Sequence, residues 1–192
     1  MALIFQQVKQ FSDFDFDNLF LESIIGINRN LFNPTLTTFE ERKAFFRFQL
    51  DRAIDGTCPL QNPGETLFMY KISKDGKDIF FKAGYIEVDG ITHRGHWFLT
   101  ARDLENNKNW LYTEELDVKQ REFCALFGVT QHKVLCSTDS PMYKMVHART
   151  KYTKDNNLPG RPEIIFEEPD PLESQNGELF KHLTYVIITV KL

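Results

Sequence analysis

Between Thr66 and Ala101 three runs of strand-forming residues are separated by two Asp-Gly pairs, and this stretch limits the fold more than any other. Thr66 to Ser73 alternates apolar and polar positions. Lys74-Asp75-Gly76-Lys77 then supplies a tight turn, because Asp and Gly accept the left-handed backbone that two-residue hairpins need. Asp78 to Val88 is a second strand, Asp89-Gly90 a second turn, and Thr92 to Ala101 a third strand. The spacing predicts an antiparallel meander at the centre of the chain.

The flanks carry helical signals. Leu3 to Val8 reads as a first strand and Asp13 to Asp17 as a polar break. Phe20, Leu21, Ile24, Ile25, Leu31 and Phe32 recur at helical spacing, and Asn33-Pro34 stops that helix. Thr38-Phe39-Glu40-Glu41 has the pattern of a capping box and opens a second helix with Phe39, Phe46, Leu50, Ala53 and Ile54 on one stripe, closed by Gly56. A third helix is expected from Thr113 to Phe127, closed by Gly128, and then a short buried strand from Lys133 to Ser137. Ser140-Pro141 is an N-cap followed by proline at the first helical position, which opens a fourth helix. Glu163 to Glu167 and Leu183 to Leu192 read as the last strands, with an acidic loop from Pro169 to Glu178 between them.

The resulting order is β-α-α-β-β-β-α-β-α-β-β, an α/β arrangement in which helices cover both faces of a mixed sheet. The unit from Trp97 to Ser137 should be a parallel, right-handed crossover. The 192 residues suit one domain over 1–192. An apolar share of 42% supports an ordinary core, and 18 Phe imply that aromatic rings build it or line a groove. A formal charge of -4 argues against a nucleic-acid partner. The cysteines, Cys58, Cys124 and Cys136, are odd in number and show no C-x-x-C spacing, so a disulfide framework and a metal site are not expected and a reduced, cytoplasmic setting is. No run approaches the roughly 20 apolar residues of a membrane span.

In its element order and turns, though not through a strong motif, the whole chain resembles the GNAT acyltransferase fold. That resemblance implies a direct transfer of an acyl group from acetyl-CoA or another acyl-CoA to an amine, the acceptor being a small molecule or a peptide. It also implies that the fourth strand splays from the fifth and that the donor's pantetheine pairs with the end of the fourth strand, here Leu99, Thr100 and Ala101. The pyrophosphate would lie at the start of the third helix, where helix-end N–H groups attract phosphate. The family's glycine-rich loop is missing there: Arg102 to Thr113 contains no glycine. Arg102 and Lys108 could neutralise phosphate, and Asn107 tolerates left-handed backbone better than most residues.

Family members often carry an Asn after the fifth strand and, on the next helix, a Tyr that protonates the departing thiolate, followed by a further aromatic. Aligning Tyr152 with that last aromatic places Ser140 at the Asn position and His147 at the Tyr position. A shift of one turn places Tyr143 there instead. For the base that relieves the amine of its proton, Glu87, His93 and His96 stand on or beside the fourth strand. There is no P-loop, no G-x-S-x-G and no H-E-x-x-H. A nucleophile pair of Cys136 with His132, and a metal site on His93 and His96, are both disfavoured: a thiol in a buried strand is inert, and strand positions three apart face opposite ways. The second reading is a catalytically silent module with this fold, motivated by the absent glycines and the abundance of Phe. A homodimer suits either reading, because the final strand is apolar on both faces.

Overall fold

The computed structural model describes residues 2–22, 36–102, 114–137, 164–169 and 183–189, together with single helical positions between 144 and 155. The strands are β1 (Ile4–Gln7), β2 (Thr66–Lys74), β3 (Lys77–Ile86), β4 (Thr92–Thr100), β5 (Gln131–Ser137), β6 (Ile164–Pro169) and β7 (Leu183–Thr189). The helices are α1 (Phe16–Glu22), α2 (Phe39–Ile54) and α3 (Glu114–Phe127), preceded by a 3-10 turn at Phe11–Asp13.

The meander is present. Asp75 and Gly76 both take positive φ, 53° and 77°, which is the backbone of a type I′ hairpin turn and matches the right-handed twist of β2 and β3. At the second turn the Asp89 carboxylate accepts hydrogen bonds from the Ile91 and Thr92 amides at 2.9 Å and from the Thr92 hydroxyl at 2.6 Å. The capping box of α2 is also present. Thr38 Oγ1 accepts from the Glu41 amide at 3.2 Å, and Glu41 Oε2 accepts from the Thr38 amide at 2.9 Å.

Several boundaries differ from the sequence reading. The polar break at 13–17 is in fact the end of the 3-10 turn and the start of α1, because Phe14 and Phe16 turn inward and are buried. The continuation of the first helix through Ile24, Ile25, Leu31 and Phe32 lies outside the described residues, as do its stop at Asn33-Pro34, the Ser140-Pro141 helix start and most of the acidic loop. β5 begins at Gln131 rather than Lys133, which brings His132 into the sheet.

The seven strands form one sheet in the order β1-β2-β3-β4-β5-β7-β6. Among the described strands only β4 and β5 pair in parallel, as expected for strands joined through α3. The final strand lies inside the sheet, with β5 on one side and β6 on the other, so both of its edges are used within the chain.

Phenylalanine packs both faces. On one face Phe14 stacks on Phe81 at 4.1 Å between centroids, and Phe20 meets Phe39 and Phe46 at 5.3 and 5.6 Å, joining α1 and α2 to the sheet. On the other, Phe123 of α3 stacks on Tyr70 at 4.4 Å, and Phe127 meets Phe68 at 4.8 Å. The rings therefore form an aromatic layer on each side of the meander. Among the described residues no helix is long and apolar enough to cross a membrane.

Candidate active site

The sheet is interrupted at the one parallel pair among the described strands. β4 and β5 are in register at Thr92–Gln131, His93–His132 and Arg94–Lys133, and there the ladder ends. β4 continues to Thr100 and β5 to Ser137. The two strands thus share a root and then part, leaving a V whose apex is the Arg94–Lys133 rung. Immediately past the apex β4 carries a bulge: Ala83 pairs with Trp97 and Gly84 with Gly95, so His96 is an extra residue with no counterpart on β3. The bulge reverses the alternation of side chains along β4. Trp97 lies near Tyr85 on the α1/α2 face, and Phe98 lies against Phe80 on the α3 face.

The α3 side of the apex holds a polar cluster in which His93 and Cys124 are fully buried and Lys82 and His132 are half-buried. Lys82 comes from β3, His93 from β4, His132 from β5 and Cys124 from α3. Lys82 Nζ lies 3.2 Å from His132 Nδ1, His93 Nδ1 lies 3.0 Å from the same atom, and Cys124 Sγ lies 3.8 Å from His132 Nε2. With the His132 ring proton on Nε2, toward the thiol, Nδ1 has a single lone pair, which accepts from the Lys82 ammonium, and His93 Nδ1 stands beside it as a second contender for that lone pair. Burial, together with the neighbouring Lys82 cation, drives the His132 pKa well below the usual imidazole value and keeps the ring neutral. Burial likewise brings Lys82 down to about 8 and pushes the Cys124 thiol up to about 11, which leaves the thiol inert.

Lys82 reaches β5 because Gly95 lets it pass. The stem of Lys82 crosses β4 at that glycine, with Cε only 3.3 Å from where a Cβ would stand. Among the described residues no carboxylate forms an ion pair with Lys82; the acidic partners belong to Lys43, Arg47, Lys71, Lys77, Arg94, Lys119 and Lys133.

The opposite face of the apex is carboxylate-rich and locked. Arg94 binds Glu65 through two nitrogens, Nε at 3.2 Å and Nη2 at 2.5 Å, and also donates to the Leu60 carbonyl at 2.7 Å. Burial opposes ionisation of Glu65, but the hydrogen bonds from Arg94 and Asn62 outweigh it and hold the carboxyl below its ordinary pKa.

Of the residues expected from sequence, Leu99, Thr100 and Ala101 lie fully buried along the end of β4, where it has parted from β5. Arg102 follows them and is exposed. Glu87 sits beyond the end of β3, half-buried, 3.7 Å from Lys133 Nζ, and belongs to the locked face. His93 is buried in the cluster. His96 is the bulge residue at the apex, described in its backbone alone. His147 is helical and exposed. Tyr143, Asn107, Lys108 and Ser140 lie outside the described residues. Sequence reasoning missed Lys82 and passed over His132 as a functional residue. The signal for Lys82 was present: a single charged residue inside the apolar run Ile79-Phe80-Phe81-Lys82-Ala83-Gly84.

A mixed sheet opened between its parallel strands, with helices on both faces, defines the class of fold. More particularly, the chain has the fold of the GNAT acetyltransferases. It is similar over 100% of its length to 99% of a GNAT family acetyltransferase from Elizabethkingia anophelis with acetyl-CoA bound, at 11% identity and a TM-score of 0.50. It is similar over 100% of both chains to the PaiA N-acetyltransferase from Thermoplasma acidophilum in complex with coenzyme A, at 11% identity and a TM-score of 0.53. No family model and no curated protein matches the chain.

Proposed function

We propose that this protein is an acyl-CoA-dependent N-acyltransferase that moves an acyl group directly to an amine. The observation that carries the reading is the early end of the β4–β5 ladder. Strands that part after three rungs leave backbone edges facing a gap, which suits an extended thioester arm lying between them. The polar cluster at the root supports the same reading, since a buried cluster in a structural role would be better served by apolar side chains. Two of the similar solved proteins hold acetyl-CoA or coenzyme A. His96, at the bulge, is the residue nearest the reacting position that could accept the proton of the amine. Glu87, tied to Lys133, is the weaker choice.

The absence of glycine from Arg102 to Thr113 favours a second reading, a module that keeps the fold and has lost the donor. Titration calorimetry with acetyl-CoA separates the two. Saturable binding accompanied by thermal stabilisation is expected for the acyltransferase, and no heat at millimolar ligand would leave the silent module standing.

A further inference from the structure

We propose that Lys82 is the group that receives the departing thiolate, donating a proton to sulfur as the acyl group leaves for the amine. This rests on the acyltransferase reading and adds to it a residue on β3, a strand outside the gap.

Three observations converge. The first is position. A side chain that starts on β3 and ends 3.2 Å from His132 on β5 must cross the whole width of β4. It crosses at Gly95, the first β4 residue beyond the last rung shared with β5. The ammonium therefore lies beneath the last paired rungs, at the root of the gap toward which a thioester lying between the strands would point. The second is charge. Among the described residues the groups that face Lys82 are the neutral His132 on β5, His93 on β4, Tyr70, its register partner on β2, and Cys124 on α3, and none is a carboxylate. A cation held in a low-dielectric place without a counter-ion favours whatever negative charge forms beside it. The third is direction. His132 Nδ1 takes one of the three ammonium hydrogens and fixes the nitrogen, leaving two to point elsewhere.

The step balances without a further reactant. The amine nitrogen bonds to the acyl carbon, the carbon–sulfur bond breaks, and its electron pair stays on sulfur. Lys82 gives that sulfur a proton and becomes a neutral amine. The proton lost by the acceptor nitrogen passes to the base and to solvent, and Lys82 regains one from solvent. An ammonium that titrates near 8 is at least as acidic as an alkyl thiol, which titrates at about 8.5 or above, so proton transfer to the thiolate is not uphill.

The test measures the thiol and needs no acceptor. Coenzyme A is bound to the protein, and thiolate formation is followed by ultraviolet difference absorbance against pH, with desulfo-coenzyme A as the blank. In the native protein the bound thiol should be more acidic than free coenzyme A, with a thiolate fraction about tenfold higher at a fixed pH. Lys82→Met should abolish that difference while still binding coenzyme A. Lys82→Arg should keep it, because the charge remains, and it serves if the methionine variant does not fold. Where an amine is turned over, the native rate should fall as pH rises through about 8, and Lys82→Arg should move that fall to higher pH. Bound thiol that titrates identically in the native protein and Lys82→Met overturns the assignment and leaves the acyltransferase reading intact. No binding of coenzyme A to the native protein overturns both.

Discussion

Two glycines at the apex are needed for different reasons, and substitutions separate them. A Cβ on Gly84 would stand 2.3 Å from the Arg94 carbonyl oxygen and 2.6 Å from Gly95 Cα, atoms of a paired backbone that cannot give. Gly84→Ala should therefore break the β3–β4 pairing at the bulge and cost about 3 kcal/mol or more in denaturant unfolding. A Cβ on Gly95 meets the flexible Lys82 stem at 3.3 Å, which must swing aside by a few tenths of an ångström, and touches the His93 ring at an ordinary 3.4 Å. Gly95→Ala should leave the melting temperature close to native while withdrawing the ammonium from His132. Lys82 itself is a cost to the fold. Its folded pKa lies below its value of 10.5 in the unfolded chain, so the charged form is better solvated unfolded. Lys82→Met should raise stability at pH 7 by about 1 kcal/mol, a figure kept small because the lysine is only partly buried. The lone charge of Lys82 inside an apolar run was legible in sequence, and the roles of the two glycines were not. A glycine within a strand run suggests a bulge or a close approach, but which neighbour approaches depends on register, and register is settled by pairing across the sheet.

At the scale of elements the chain was far more readable, because the signals there are local. The Asp75-Gly76 turn and the Thr38–Glu41 capping box use residues within four positions of one another, and both are present. The Gly84–His96 bulge and the early end of the β4–β5 ladder have no such local cause. The sequence shows Thr92 to Ala101 as one unbroken strand, which is true of its pairing with β3 but not with β5. The same limit explains the place of the final strand. Its two apolar faces fit a free edge meeting a second copy as well as an interior position, and only the pairing with β5 and β6 distinguishes them. One tie holds the start of β2 against β4 where the gap begins: the buried pair Glu65–Arg94. Removing one partner of such a pair strands the other charge. Glu65→Ala should cost about 3 kcal/mol, measured by chemical denaturation, and more than Arg94→Met made on the Glu65→Ala background.

For the whole molecule the buried groups fix how stability follows pH. A group whose folded pKa is below its unfolded one makes the unfolded chain bind more protons, so stability rises with pH between the two values. His132 and Glu65 are both of this kind. His132 begins to cost stability as pH falls below 6.5, its unfolded value, and Glu65 as pH falls below 4.5, each loss continuing until the folded pKa is passed. The acid side should thus descend in two overlapping stages rather than at the carboxylates alone. Lys82 obeys the same rule at the other end: between about 8 and 10.5 the folded chain has released a proton that the unfolded chain keeps, and stability rises. Cys124 and Tyr70 run the opposite way. Their folded pKa values are raised, so above 9.0 for the thiol and 10.0 for the phenol the unfolded chain ionises first and stability falls. The gain from Lys82 is therefore visible only between about 8 and 9, after which the thiol opposes it. Denaturant midpoints collected across this range should rise from about 8 to 9, level off between 9 and 10 where lysine and thiol cancel, and fall above 10. His132→Gln should remove the decline that starts below 6.5 and leave the one below 4.5. Lys82→Met should flatten the rise above 8 and, by removing a cation that depresses His132, shorten the decline below 6.5 while leaving the one below 4.5. A native curve already flat from 6.5 down to 4.5 would mean that the His132 ring is not held neutral, and the proton arrangement at the apex would have to be redrawn.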